Sequence, residues 1–182
     1  MGHPVLHKRA EPVDDPLDPE IQRLIGDMIE TMIDANGAGL AAPQVYEPLR
    51  LVIFQAPSER VETGGEVDEA EAYTHSAPLT VLFNPVIEVL GPEMQAGWEG
   101  CLSVPGLRGL VSRHGHIRYS GLDQSGKPFS RIARGFHARV VQHECDHLDG
   151  ILYPQRMQDL SLLLFETEIR HFLESQRQSD EA

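Results

Sequence analysis

The run Ala138-Arg139-Val140-Val141-Gln142-His143-Glu144-Cys145-Asp146-His147-Leu148-Asp149-Gly150 decides how the rest of the chain is read. It contains His-Glu-x-x-His. On a helix, residues four apart share a face, so His143 and His147 can present their imidazoles to one point. Phe136 and Val140 stand at matching helical spacing upstream, so apolar residues continue the face that carries the histidines. The helix is predicted to start near Arg134-Gly135, with Gly150 as its cap and Pro154 preventing extension. Glu144 adjoins the first imidazole, where a carboxylate reaches a water on a bound ion. Two imidazoles leave a divalent ion under-coordinated, so a further ligand has to come from elsewhere. The five-residue pattern alone also occurs on ordinary polar helices.

Upstream of this helix, Arg108 to Arg113, His116 to Leu122 and Lys127 to Ile132 read as strands. Asp123-Gln124-Ser125-Gly126 turns between the last two, and the order is an antiparallel meander rather than alternating βαβ units. Further back, Leu49 to Phe54, Leu79 to Phe83 and Val86 to Leu90 are predicted strands, the middle one stopped by Asn84-Pro85. Ala56 to Pro78 reads as an acidic, solvated excursion, with six acidic residues between Glu59 and Glu71 against the single basic Arg60. A first helix opens at Asp18-Pro19, with Asp as N-cap and Pro in the first helical position. Ile21, Leu24, Ile25, Met28, Ile29, Met32 and Ile33 give it one buried face, and Gly37 of Asn36-Gly37 is expected to take the left-handed position that ends it. A last helix is predicted from about Asp159 to Gln176, with Leu160, Leu163, Leu164 and Ile169 inward and Glu166, Glu168, Arg170 and Glu174 solvated. The tail at about 177–182 is expected to fray.

At 182 residues the chain is expected to form one domain, 1–182, with an ordinary globular composition of 41% apolar and 24% charged residues. The net charge of -13 argues against broad nucleic-acid contact. No run is long and apolar enough for a membrane span, and the start has no apolar core of signal-peptide length. Cys101 and Cys145 are the only cysteines, which is no disulfide framework, so reduced thiols in a cytosol are the default. Cys145 points away from the histidine face at helical angles and reads as a packed thiol.

Two other stretches draw attention. Gly37-Ala38-Gly39-Leu40-Ala41-Ala42-Pro43-Gln44 is a run of small residues closed by a lone amide. Gly and Ala let a backbone approach a ligand closely, and Gln44 offers one acceptor and two donors. A tight turn into the next strand would explain the run equally well. In Glu99-Gly100-Cys101-Leu102-Ser103, a thiolate flanked by Gly and a turn could project into a cleft, or Cys101 could be a buried structural thiol.

Taken in order, these two stretches and Gln142-His143-Glu144-Cys145-Asp146-His147-Leu148-Asp149-Gly150 resemble the three signature motifs of peptide deformylase, which removes the formyl group from the N-terminal formyl-methionine of new polypeptides. The resemblance runs from roughly Val5 to Met157. It implies an α+β fold, in which a central motif-bearing helix is cradled by antiparallel β-sheets with an N-terminal and a C-terminal helix. It makes Cys101, His143 and His147 the ligands of one divalent ion, with Fe²⁺ the usual one and Zn²⁺, Ni²⁺ or Co²⁺ as substitutes. Such an ion brings the pKa of its water from about 15.7 toward 7. Glu144 then serves as general base and acid as the resulting hydroxide attacks the formyl carbon, releasing formate. Gln44 and the Leu102 backbone N–H would stabilise the developing oxyanion. Gly39 would pair with the extended substrate, Glu99, Phe136 and Val140 would wall the methionine pocket, and Arg113 would help hold the motif loop or the substrate backbone.

The implied partners are N-formylmethionyl nascent peptides, with no nucleic-acid site and no membrane. The implied location is a bacterial cytoplasm, since formylated initiation belongs there; an organelle is the alternative, but no transit peptide is visible. Transient ribosome association occurs in some relatives through a basic C-terminal helix, whereas Asp180 and Glu181 make this tail acidic. Two rival readings differ in the third ligand and in the role of Glu144. In a zincin-type metallopeptidase the third ligand would be Glu166 or Glu168, leaving Cys101 and Gln44 unexplained. In a non-catalytic metal-binding module Glu144 would have no role.

Overall fold

The computed structural model describes residues 1–57 and 73–180. Its elements are α1 (Pro19–Asp34), β1 (Gly39–Ala41), β2 (Leu51–Ala56), β3 (Ala77–Val89), β4 (Met94–Cys101), β5 (Val104–His114), β6 (His116–Leu122), β7 (Pro128–Arg134), α2 (Gly135–Leu148), β8 (Leu163–Phe165) and α3 (Ile169–Asp180), with short 3₁₀ turns between some of them. Two antiparallel sheets result, one in the order β1-β2-β3-β6-β7 and the other β4-β5-β8. The architecture is α+β.

Strand β2 explains how the layers assemble. Its Leu51-Val52-Ile53-Phe54 run is apolar on both faces, as a strand covered on both sides must be. Leu51 and Ile53 pack with Ile25, Met28 and Met32 of α1. Val52 and Phe54 face the other way and pack with Ala138, Val141 and Cys145 of α2. Burying each large apolar side chain contributes roughly 1.5–3 kcal/mol. The five-stranded sheet is thus the middle layer, and α2 lies between it and the smaller sheet, whose own cluster is Val104, Val111, Leu152 and Tyr153.

Helix α1 starts as expected: the Asp18 side chain accepts from the Glu20 N–H, and Pro19 is its first residue. Its end differs, because Asn36 and not Gly37 takes the left-handed conformation, φ 51°. Asn tolerates that region through its short polar side chain. Ile33, counted in the buried face, is exposed.

Three further expectations are corrected. Asn84-Pro85 does not stop a strand: β3 runs through it, with the pairing register to β6 shifting between Phe83 and Val86. Asn84 has φ 49°, and its amide closes a two-way link with Val13, accepting from N–H and donating to C=O at 2.9 Å each. A bulge absorbs the proline that a regular ladder would reject. The segment expected as the start of the last helix is a turn at Leu160–Leu162 and then β8, whose Leu163 and Leu164 pair with Gly109 and Arg108. Helix α3 begins only at Ile169 and stays helical through Asp180, well into the tail expected to fray. Of the acidic excursion, residues 58–72 lie outside the described residues, while Ala77 and Pro78 already belong to β3.

Candidate active site

Helix α2 carries both motif histidines inward, with His143 and His147 ring centroids 5.1 Å apart. Strand β4 ends on Cys101, where the register shifts between Gly100 and Cys101 and the chain turns into β5. That turn brings Cys101 Sγ to 3.3 Å from His147 Nε2. Donor atoms of Cys101, His143 and His147 all lie within 4.8 Å of one another. No other group of three or more such donors is found among the described residues. Glu166 is not part of it; its carboxylate instead accepts from Arg108 at 2.7 and 2.9 Å.

The surroundings test whether a cation fits. His143 Nδ1 donates to Glu99 Oε2 at 2.8 Å, which leaves Nε2 as its ligand atom. Burial opposes a charge on His143, yet its hydrogen bonds to Cys101 and Glu99 outweigh this and raise its pKa. Burial, then the neighbouring His143, lowers that of His147. Burial likewise pushes Glu99 up, but His143 and Arg113 prevail and hold it at about 2. Glu99 thus holds the His143 ring from behind while Cys101 Sγ faces His147. Glu144 Oε2 is buried beside the donors without a hydrogen-bond partner among the described residues, an orphan that a group held there would satisfy. Thiolate and imidazole donors suit Zn²⁺ or Fe²⁺ more than Mg²⁺ or Ca²⁺.

Glu144 is enclosed on the other side by β1. Burial pushes its pKa up to about 7, where a carboxylate can both take and return a proton near neutrality. Gln44 is fixed by accepting the Ala41 N–H at 2.8 Å, and its amide nitrogen then donates to Ser103 Oγ at 3.2 Å and lies 3.6 Å from Cys101 Sγ. Gly39, Gln44, Leu102, Phe136, Val140, His143 and Glu144 line one groove of about 500 Å³. Trp98 and the Arg108–Glu166 pair stand on its wall as well. A second depression, around Asn84 and Phe129, contains no titratable side chain in its lining.

Arg113, expected to hold the motif loop or the substrate backbone, and Glu99, expected on the pocket wall, form one buried network. Arg113 is not among the groove-lining residues; it is buried, forks onto Glu99 at 3.0 and 2.9 Å and also pairs with Asp146. Glu99 reaches the groove lining, but both its oxygens are taken by Arg113, Arg139 and His143. Arg139 was not picked out from the sequence. Its signal was an arginine one turn before His143, on a helix whose other residues imply burial. Cys145 is buried in the α2 core, as its helical angle implied.

A cysteine sulfur and two imidazoles converging on one point, with a buried carboxylate alongside and a groove leading in, fit a metal-dependent hydrolase. The model of the polypeptide deformylase family matches residues 1–162. Peptide deformylase 1 of Bordetella pertussis is 55% identical over 161 residues, 88% of this chain and 86% of that protein. Peptide deformylase 2 of Ralstonia nicotianae is 52% identical over 169 residues, 93% and 90% of the two chains. The crystal structure of peptide deformylase from Ehrlichia chaffeensis superposes with a TM-score of 0.78 at 30% identity, covering 100% of this chain and 94% of that one. A Met-Ala-Ser-bound class I type b peptide deformylase from Acinetobacter baumannii gives 0.73 at 35% identity, covering 86% and 94%. The chain belongs to the polypeptide deformylase family, hydrolases that remove the formyl group from the N-terminus of nascent peptides.

Proposed function

We propose that this single catalytic domain deformylates N-formylmethionyl peptides in the groove beside Cys101, His143 and His147, with Glu144 moving the proton. The observation that carries the reading is the buried, unpartnered Glu144 Oε2 next to three converging donors. A divalent ion held by those donors supplies an acidified water and a Lewis acid for the formyl oxygen. Fe²⁺ is proposed as the native ion, with Zn²⁺, Ni²⁺ or Co²⁺ able to substitute.

The remaining roles belong to side chains and backbone. Glu144, poised near neutrality, accepts the proton of the attacking water and returns it to the departing amine. The Gln44 amide, aimed by its bond to Ala41, and the Leu102 backbone N–H donate to the oxygen on which charge builds. Gly39, on an edge strand, pairs with the extended peptide, since among the described residues β1 has a sheet neighbour on one side only. Phe136 and Val140, one helical turn apart on the groove wall, receive the methionine side chain. The tripeptide in the Acinetobacter baumannii relative supports a short peptide as the ligand of this groove. Arg113 and Glu99 serve from behind, by fixing His143.

No described helix is long and apolar enough to cross a membrane. We place the reaction in a bacterial cytoplasm, where formylated chains arise. The acidic residues 180 and 181 would be repelled by ribosomal RNA, so ribosome docking has no electrostatic support.

Glu144→Gln tests the reading. The variant should keep its ion, because Glu144 is not a ligand, and lose about 10²–10⁴ in formate release from formyl-Met-Ala-Ser. Full activity, or loss of the ion, would remove Glu144 from the role. The assigned ion is checked in air: the Fe²⁺ form should inactivate faster than the Zn²⁺ form, and equal lifetimes would speak against Fe²⁺.

A further inference from the structure

Strand β4 and helix α2 contribute separate parts of the site, and one side chain bridges them. Arg139 stands one turn before His143 on α2. Its guanidinium donates to Gln95 O at 2.6 Å, Gly97 O at 3.4 Å and Glu99 Oε1 at 2.8 Å, and across to Val111 O of β5 at 2.8 Å. It therefore reaches residues 95, 97 and 99, every second residue of β4, and Cys101 is the next in that series. The side chain is mostly buried, so its bonds to Gly97, Glu99 and Val111 are partly shielded from water, while the one to Gln95 O lies at the surface.

The strand is shaped to receive it. A Cβ on Gly97 would lie 2.7–2.9 Å from the Arg139 guanidinium atoms, so any side chain there would force the guanidinium to move. Glu99 then shares four donors between two oxygens. Arg113 Nε and Arg139 meet at Oε1, while Arg113 NH2 and His143 Nδ1 meet at Oε2. With Oε1 doubly occupied, the carboxylate is fixed with Oε2 on the imidazole. That bond holds the His143 ring and its Nδ1–H tautomer.

We propose that Arg139, seated in the Gly97 slot, is a positioning residue for the metal ligands: it sets the separation of β4 from α2, and so the reach between Cys101 and the two imidazoles. The guanidinium lies along the groove, and its hydrogen bonds go to Glu99 and the backbone of the two strands, through which it acts. The inference rests on reading Cys101, His143 and His147 as the ligands.

The test is Co²⁺ and Zn²⁺ binding to the purified full chain, measured by chelator competition and by the Co²⁺ absorption spectrum, for Arg139→Leu, Arg139→Lys, Gly97→Ala and Cys101→Ala. Arg139→Leu should weaken both ions about 10–100-fold, the range for loss of a partner behind a ligand. It should also alter the Co²⁺ spectrum. Gly97→Ala keeps every charge but evicts the guanidinium, and should do the same. Lys keeps the charge without the fork, and should restore only part of the affinity. If Gly97→Ala and Arg139→Leu bind both ions like the parent, with an unchanged spectrum and only a lower melting temperature, Arg139 is a strut and the inference falls. Should Arg139→Leu fail to fold, Gly97→Ala decides alone. Unweakened binding in Cys101→Ala would instead overturn the ligand assignment itself.

Discussion

Gly39 and Glu144 are in contact so close that a side chain on one would displace the other: a Cβ at position 39 would sit 2.4 Å from Glu144 Oε1 and 2.6 Å from its Cδ. The glycine that carries the edge of β1 is therefore also the wall against which the proposed proton carrier rests. Gly39→Ala should lower kcat about 100-fold by pushing the carboxylate out of line, since displacement on the ångström scale costs that much. Metal content should stay unchanged. Parent-like formate release from Gly39→Ala would show that Glu144 does not depend on this wall.

His137 sets a limit on acid stability. It is fully buried, its Nδ1 2.8 Å from Thr74 O and its Nε2 3.1 Å from the Tyr119 hydroxyl. Burial lowers its pKa from 6.5 to about 4. Between those values the unfolded chain binds the proton and the folded one does not, so stability is full above pH 6.5 and falls as the pH drops toward 4. The loss should be on the order of 3 kcal/mol across that window. His137→Gln keeps a donor for Thr74 and cannot titrate, so urea unfolding from pH 7 to 4 should show it losing less stability than the parent. Parallel curves would rule His137 out.

Trp98 is the only tryptophan in the chain, and it lines the groove with Phe172 edge-on at 6.0 Å. Its fluorescence should therefore report on peptide. Adding formyl-Met-Ala-Ser to Glu144→Gln, which cannot turn it over, should shift the emission saturably. A flat titration at peptide concentrations that saturate turnover by the parent would place the peptide elsewhere.

The sequence made α2 legible because its signal is local: two histidines, a carboxylate and two apolar residues on one face need only 3.6 residues per turn. Strand β4 was not read as a strand. Met94-Gln-Ala-Gly-Trp-Glu-Gly-Cys101 has no apolar alternation, and two glycines argue against a strand. Gly97 has a tertiary reason, the guanidinium of an arginine 42 residues away. Leu160 to Leu164 carries apolar residues at helical spacing, yet the open edge of β5 captures Leu163 and Leu164 as β8. Asn84-Pro85 looked like a break because the bond from Asn84 to Val13, 71 residues upstream, has no local trace. Arg113 is legible as a hold on the motif loop or the substrate backbone, and Glu99 as part of the pocket wall. The closed network they form with Asp146 and His143 follows from strand register, which composition does not display.

The donor set has a kinetic consequence. His143 and His147 come together as soon as one turn of helix forms, but the thiolate joins them across 46 residues and the Gln44 amide reaches the thiolate across 57. Those chain segments must close into loops, and the two sheets must settle on opposite sides of α2, before the three donors proposed as ligands come together. An ion captured by a short ligand cluster can nucleate a fold, as in a zinc finger. With Cys101, His143 and His147 as the proposed ligands, the complete set is offered only by the folded chain.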